Sequence, residues 1–425
     1  MERTAADGGP PLRIALTSYR SKPHCGGQGV YVRHLSRELH ALGHEVEVLS
    51  GQPYPELDRD SGGNGPTLTE VPSLDLYRDD DPFRTPHPRE IRGPLDLLEV
   101  AMMWTAAFPE PLTFSLRVAK LLQARDTRPD VVHDNQTLGY GLLLLQRAGF
   151  RVLATLHHPI TEDRRHDLAA ARRLKKISTL RWYSFLRMQG RVVRRLPAVL
   201  TVSANSLVDV VRDFRVPAGR LTVVPVGVDT EVFGPPALPR VPGRIVATAS
   251  ADVPLKGLVP LLEAVAKLRT ERDVELVVVG RPKVGGTALT AIERLGLEDA
   301  VRFVSGVTEE ALVDLFGSAE VGVVPSLYEG FSLPAVELMA CETPLVATTA
   351  GALPEVVGPD GETALHVPPN DPEAIAAAVG RLLDDPELAA RIGAAGRERV
   401  VERFTWRAVA EQTVAWYRKN LEAKT

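Results

Sequence analysis

The sequence predicts two doubly wound α/β domains in tandem, each a parallel sheet flanked by helices. Short apolar runs alternate with amphipathic stretches along most of the 425 residues. Near the start, Leu12–Thr17 reads as a strand, residues 18–29 as a loop, and Val30, Leu35, Leu39 and Leu42 as one helical stripe ended by Gly43. With the strand Val46–Leu49 this makes a βαβ unit, whose short connections favour parallel pairing. The alternation then breaks at Phe233–Gly243, where proline and glycine crowd together, and restarts beyond it.

The remaining elements follow in order. Strands are expected at Val131–His133, Val152–Thr155 and Val199–Ser203, with a helix over Leu112–Gln123. The segment Gly51–Glu99 is rich in proline and acid and supports only a strand near Leu68–Val71. After the linker come Arg244–Thr248, a helix over Leu261–Leu268, then Val274–Val279, Val301–Val304, Val321–Val324 and Leu345–Ala347. Residues 1–232 form the first expected domain and 233–404 the second. Residues 405–425 carry Trp406, Val409, Val414, Trp416 and Tyr417 at helical spacing, more aromatic surface than a free tail needs.

Composition narrows the function classes. The hydrophobic content of 44% supports two cores of ordinary size. A net charge of -4 and 5% aromatic residues give no general pull toward nucleic acid. Cys25 and Cys341 are too few for a disulfide framework, which fits a reducing, cytoplasmic setting. Met1–Pro11 lacks the apolar core of a secretory signal, and no apolar run approaches the ~20 residues of a membrane span. No aspartate cluster of the aspartate-any-aspartate kind is placed to carry a divalent metal, so none is expected.

Chemistry concentrates where strands end. Glu329 follows the run Val321–Val324, so it belongs at the C-terminal edge, where open α/β sheets bind ligands. If Pro334 opens the next helix, the amides near Phe331, Ser332 and Leu333 face outward at its positive end, a place for phosphate. Glu337 lies two turns further on. Carboxylates that accept from vicinal hydroxyls beside an anion site suit a sugar nucleotide. Lys256 sits between a strand and a helix, where an ammonium can neutralise a diphosphate, and Arg281 after the next strand could add a second cation.

In the first half, Gly26, Gly27 and Gly29 stand between the first strand and helix, where small residues let amides approach an anion. The full dinucleotide fingerprint is missing, and no acid ends Val46–Ser50, which disfavours a nicotinamide enzyme. His157 ends another strand and can hydrogen-bond a hydroxyl, with His158 as the neighbouring alternative. His133, Asp134 and Asn135 end a further strand, and Arg20 lies in the first loop, all candidate acceptor contacts. Eleven cations between Arg164 and Arg195, interleaved with apolar residues, could steer a phosphorylated acceptor or attach peripherally to an anionic inner membrane face.

The segment Tyr328–Glu337, with the spacing Glu-Gly-Phe-Ser-Leu-Pro-Ala-Val-Glu, resembles the glutamate-pair motif of glycosyltransferase family 4, the retaining GT-B enzymes. Thr343–Ala347, Gly351–Val357 and Val224–Asp229 resemble other family segments, so the likeness spans nearly the whole chain. It implies two facing Rossmann-like domains with a cleft, a final helix crossing back to the first domain, and metal-independent transfer. The implied reaction moves a hexose from a nucleoside diphosphate sugar to a hydroxyl of a glycan, glycolipid or small polyol, with no further cofactor.

The resemblance gives residues roles. Glu329 and Gly330 would lie against the donor sugar, Glu337 against the ribose, and Phe331, Ser332 and Leu333 would approach through backbone. Lys256 would hold the phosphates, Gly27 and Gly29 would flank them, and His157 would face the transferring centre. The family's arginine five residues before Lys256 is replaced by Ala251, and Arg281 could supply the lost charge if its loop lies at the same sheet edge. A sugar-nucleotide epimerase, a phosphorylase of the same architecture and a silent glycan-binding protein remain alternatives.

Overall fold

The computed structural model describes residues 5, 6, 8–22, 27–78, 80–237, 239–249 and 253–422. The chain forms two compact units. The first holds residues 1–202, Ser206–Val224 and the chain from Val409 onward; the second holds Ser203–Asn205 and Pro225–Ala408.

The first unit contains β1 (Arg13–Ser18), β2 (Glu45–Ser50), β3 (Thr67–Glu70), β4 (Val131–Asn135), β5 (Val152–Thr155), β6 (Val199–Thr201) and β7 (Leu221–Val223). They pair in parallel in the order β3-β2-β1-β4-β5-β6-β7. The second unit contains β8 (Val241–Thr248), β9 (Glu275–Val279), β10 (Val301–Val304), β11 (Ala319–Val324), β12 (Leu345–Thr348) and β13 (Leu365–Val367). Its order is β10-β9-β8-β11-β12-β13, again parallel.

In each unit the chain winds outward from the first strand, returns, and winds the other way. The two switch points therefore fall between β1 and β4 and between β8 and β11, the crevices where such sheets take ligands. Central strands are covered on both faces, which is why they read as continuous apolar runs: Val132, Ala154 and Val199 lie in one core, Ile245, Val278, Val323 and Val346 in the other.

Helix ends follow local chemistry. Thr308 accepts from the Ala311 amide at the start of Glu309–Ser318, and Asp371 and Asp385 cap Pro372–Asp384 and Pro386–Arg403, each with proline in the first turn. The helix Pro94–Trp104 was not expected, because Leu95, Leu97, Leu98, Val100, Met102 and Met103 are apolar on every side and show no stripe. The edge strands β7 and β13 also escaped, being three residues each.

The junction differs from the expected boundary at residue 233. Pro225–Val232 belongs with the second unit, because the Val228 amide donates to the Phe404 carbonyl at 2.7 Å and Gly227 lies under the Trp406 ring. The last helix, Trp406–Glu422, contributes its residues from Val409 to the first unit. Among the described residues no helix is long and apolar enough to cross a membrane.

Candidate active site

In the second unit the loops after β8 and β11 meet. Gly257 takes φ 65°, and a Cβ there would lie 1.9 Å from the Pro325 carbonyl oxygen, so only glycine allows this approach. The Leu327 amide donates to the Leu255 carbonyl at 2.7 Å, lacing the loops together. The short turn Pro254–Lys256 thereby points Lys256 at Glu329: Nζ and Oε1 are 2.8 Å apart. Ser326 Oγ donates to the same oxygen at 2.8 Å, and the Ala352 amide holds the Glu329 carbonyl at 2.9 Å. Glu329 is 9% exposed, and its Oε2 makes no hydrogen bond to the described residues.

Beyond Glu329 the chain turns sharply into the helix Leu333–Ala340. Ser332 occupies the N-cap at φ 114°, a conformation that costs a non-glycine residue about 1–3 kcal/mol, and makes no side-chain cap. Its buried hydroxyl has no partner among the described residues. With Pro334 in the first turn, the Leu333 and Ala335 amides are left at the positive end of the helix. Phe331 packs edge-on against Phe404, with centroids 5.7 Å apart. Glu337 is half-buried on this helix, and desolvation, aided by Glu309, pushes its carboxyl up to about 7. Arg281 is exposed after β9, the strand beside β8, and is unpaired among the described residues. Ala251 lies outside the described residues.

In the first unit, His157 stands past the end of β5, half-buried. Its Nε2 lies 2.7 Å from Asn135 Oδ1, and the Tyr31 ring meets it edge-on with centroids 4.7 Å apart. Gln136 brackets the backbone: its Oε1 accepts from the His157 amide at 2.8 Å and its Nε2 donates to the His158 carbonyl at 3.1 Å. Burial, with the neighbouring His158 and His133, lowers the His157 pKa to about 3, so the ring is neutral at ordinary pH.

Three expected acceptor contacts are corrected by their surroundings. His133 is fully buried, one ring nitrogen bonded to the Tyr417 hydroxyl and the other to Thr155 Oγ1 at 2.7 Å. Asp134 is equally buried, accepting from Thr17 Oγ1 at 3.0 Å and the Leu138 amide at 2.9 Å. Arg20 donates to the Tyr77 carbonyl at 3.0 Å and lies 3.6 Å from Glu110. His133 and Asp134 hold the fold because their polar atoms are spent on it, and Arg20 is drawn toward Tyr77 and Glu110. Gly27 opens the helix Gly27–Ala41 and is exposed, whereas Gly29 is buried against the Lys22 carbonyl, 1.9 Å from where a Cβ would sit.

Sequence reasoning missed Ser326 and Gln136. Ser326, three residues before Glu329 at a strand end, carried a usable signal. Gln136 carried none, since its positive φ of 55° and its grip on another loop exist only in the folded sheet.

Comparison with known proteins bears on the family and the fold. Residues 25–232 match the model of Glycosyltransferase Family 4, and residues 237–399 that of Glycosyl transferases group 1. The chain is 58% identical over 412 residues to the MMP alpha-(1->4)-mannosyltransferase of Mycolicibacterium hassiacum, covering 96% of this chain and 98% of that protein. It is 30% identical to a glycogen synthase of Mycobacterium tuberculosis over 96% of this chain and 94% of the other. Among solved structures, sucrose-phosphate synthase from Thermosynechococcus elongatus superposes with a TM-score of 0.71 at 25% identity, covering 97% of this chain and 99% of that one. Anabaena HepE with UDP-glucose, at TM-score 0.68 and 16% identity over 96% of this chain and 100% of that one, shares the fold. The two Rossmann-like sheets, the glutamate pair at the β11 edge and these relatives together make the chain a GT-B glycosyltransferase of family 4.

Proposed function

We propose that this glycosyltransferase moves a mannosyl residue from a nucleoside diphosphate mannose to the 4-hydroxyl of an α-linked mannoside, with retention of configuration. The sugar and linkage come from the 58% identical mannosyltransferase. The observation that carries the donor assignment is the Lys256–Glu329 pair beside an open helix N-terminus at the β8/β11 switch point.

In this reading the free Oε2 of Glu329 accepts from donor-sugar hydroxyls, while Ser326 and Lys256 hold the other oxygen. The ammonium has three donors, so it can keep Glu329 and still reach the diphosphate. As the glycosidic bond lengthens, charge grows on the leaving phosphate. Lys256 and the Leu333 and Ala335 amides are aimed where that charge develops. Glu337, protonated or hydrogen-bonded near neutral pH, binds the ribose, and Arg281 adds a second cation. His157 meets a substrate hydroxyl.

Transfer without a metal belongs to the same reading, with cations and amides supplying the charge stabilisation. Equal rates with and without a chelator support it; a rate restored by added magnesium or manganese overturns it.

The deciding experiment incubates the protein with uridine, guanosine and adenosine diphosphate mannose and a short α(1→4)-mannoside, following nucleoside diphosphate release and product length. Extension from one donor supports the proposal. Interconversion of the donor without acceptor would indicate an epimerase, demand for inorganic phosphate a phosphorylase, and affinity without turnover a binding protein.

A second reading concerns where transfer takes place. Arg172, Lys175, Lys176, Arg181 and Arg187 are exposed and form no ion pair with the described residues. Arg181 Nε donates to the Thr105 carbonyl at 3.0 Å, placing Trp104, 70% exposed, beside a helix that bares Ile177 and Leu180. Cations around exposed apolar side chains suit the surface of an anionic bilayer. Co-sedimentation with anionic but not neutral vesicles at low salt supports attachment; equal recovery with both removes it.

A further inference from the structure

We propose that Asn135 is a positioning residue that fixes the tautomer of His157, taking the Nε2 proton so that Nδ1 faces the substrate as a hydrogen-bond acceptor. This inference rests on His157 belonging to the transfer site described above.

The amide orientation follows from its two neighbours. Asn135 Nδ2 lies 3.5 Å from the Gln28 carbonyl oxygen, which can only accept, so the amide nitrogen belongs on that side. Oδ1 then faces the ring at 2.7 Å and can only accept, so Nε2 must carry a hydrogen. A neutral imidazole has one N–H, which leaves Nδ1 with a bare lone pair. Nδ1 makes no hydrogen bond to the described residues.

The ring is held in every other respect as well. Gln136 grips the backbone on both sides of it, and Gln189 Nε2 in turn donates to the Gln136 and Thr137 carbonyls at 3.1 and 3.2 Å. Tyr31 closes one face edge-on at 87°. Asn135 is itself fully buried at the end of β4, beside the β1/β4 switch point, so it reaches a substrate only through His157.

The protonation state supports the same arrangement. The groups acting on the ring are His158 on its own segment and His133 on β4, and both oppose a positive charge. Asp134, the nearest carboxyl along β4, is turned to Thr17 and the Leu138 amide. Among the described residues no carboxylate therefore draws a second proton to His157. The other tautomer would present Nδ1–H, a donor, and a substrate hydroxyl would have to turn its lone pair toward the ring.

The test uses the full chain labelled with 15N-histidine, with His157 assigned by comparison with His157→Ala. Wild type is expected to show the Nε2–H tautomer, and Asn135→Leu a mixed or reversed one. An Nδ1–H tautomer in wild type overturns the proposal whatever the activity. In the transfer assay Asn135→Leu should lose roughly 10- to 100-fold in kcat with little change in the donor KM. Asn135→Asp, whose carboxylate also accepts the Nε2 proton, should restore the tautomer and most of kcat near neutral pH. By raising the His157 pKa it should also add an acidic limb that wild type lacks, because protonation fills Nδ1. Full kcat in a folded Asn135→Leu with a reversed tautomer would overturn the proposal too. A wild type that transfers from no donor refutes the proposed function, and the tautomer spectrum still decides the role of Asn135.

Discussion

Lys256 Nζ and Glu329 Oε1 stand 2.8 Å apart across the switch point of the second unit, a cation from the β8 loop paired with a carboxylate from the β11 loop. The pair is partly exposed, so its contribution to stability is small, and its value lies in holding the two groups proposed to bind the donor in register. Removing the charge should therefore cost catalysis more than folding. Lys256→Ala is expected to lower kcat about 10²-fold or more, with Tm changed by only a few degrees. Initial rates and thermal melts measured on the same sample check both.

A second prediction concerns the meeting of those loops. Gly257→Ala must place a methyl group against the Pro325 carbonyl and hold alanine at φ 65°. The conformation alone costs about 1–3 kcal/mol, and relieving the clash moves Lys256. Loss of both Tm and transfer is expected. Retention of wild-type rates would show that the register of the two loops is unimportant.

Glu110 gives a pH dependence. Burial pushes its carboxyl up to about 8 from an ordinary 4.5, Arg20 opposing, and Glu99 and Asp75 reinforcing, the shift. Between these values the native state holds a proton that the unfolded chain has released, so this group makes stability fall as pH rises from about 4.5 to 8. Glu110→Gln cannot ionise and should flatten that part of the Tm–pH curve. Parallel curves for the two proteins would contradict the assignment.

The last helix supplies a fourth. Tyr417→Phe removes the hydroxyl bonded to His133 and leaves a buried ring nitrogen without its partner. A loss of roughly 1–3 kcal/mol is expected in denaturant titration. Deleting the chain from Trp406 onward should be far worse, since Val409, Val414, Trp416 and Tyr417 are all buried.

The legible and illegible parts of the site differ in kind. Glu329 and Lys256 could be placed from sequence because each follows a strand long and apolar enough to recognise, and a sheet edge has only one ligand-binding end. Strands such as Val152–Thr155 and Val301–Val304 were readable to the residue for the same reason. His133 and Asp134 also follow that rule, yet point into the fold, because alternate side chains leave a strand on opposite faces and either face can be covered. Gln136 and Ser332 depend on positive φ in non-glycine residues, which no local pattern announces. The apolar helix Pro94–Trp104 was hidden by the opposite problem, too many hydrophobic residues to show a period.

The link between Tyr417 and His133 also sets a timetable for synthesis. Thr155 joins His133 to the Tyr31 hydroxyl at 3.2 Å, and the Tyr31 ring bears on His157, so a chain of contacts runs from the last helix to the candidate histidine. Within it, His133 on β4 and Tyr417 are separated by 284 positions. A ribosome that has delivered β1 to β7 has not yet delivered the tyrosine that completes their polar interior. The second unit, made in between, can fold while the first still waits. The domain that starts first is thus finished last, and a nascent chain arrested before Val409 would expose an unfinished first unit to chaperones and proteases.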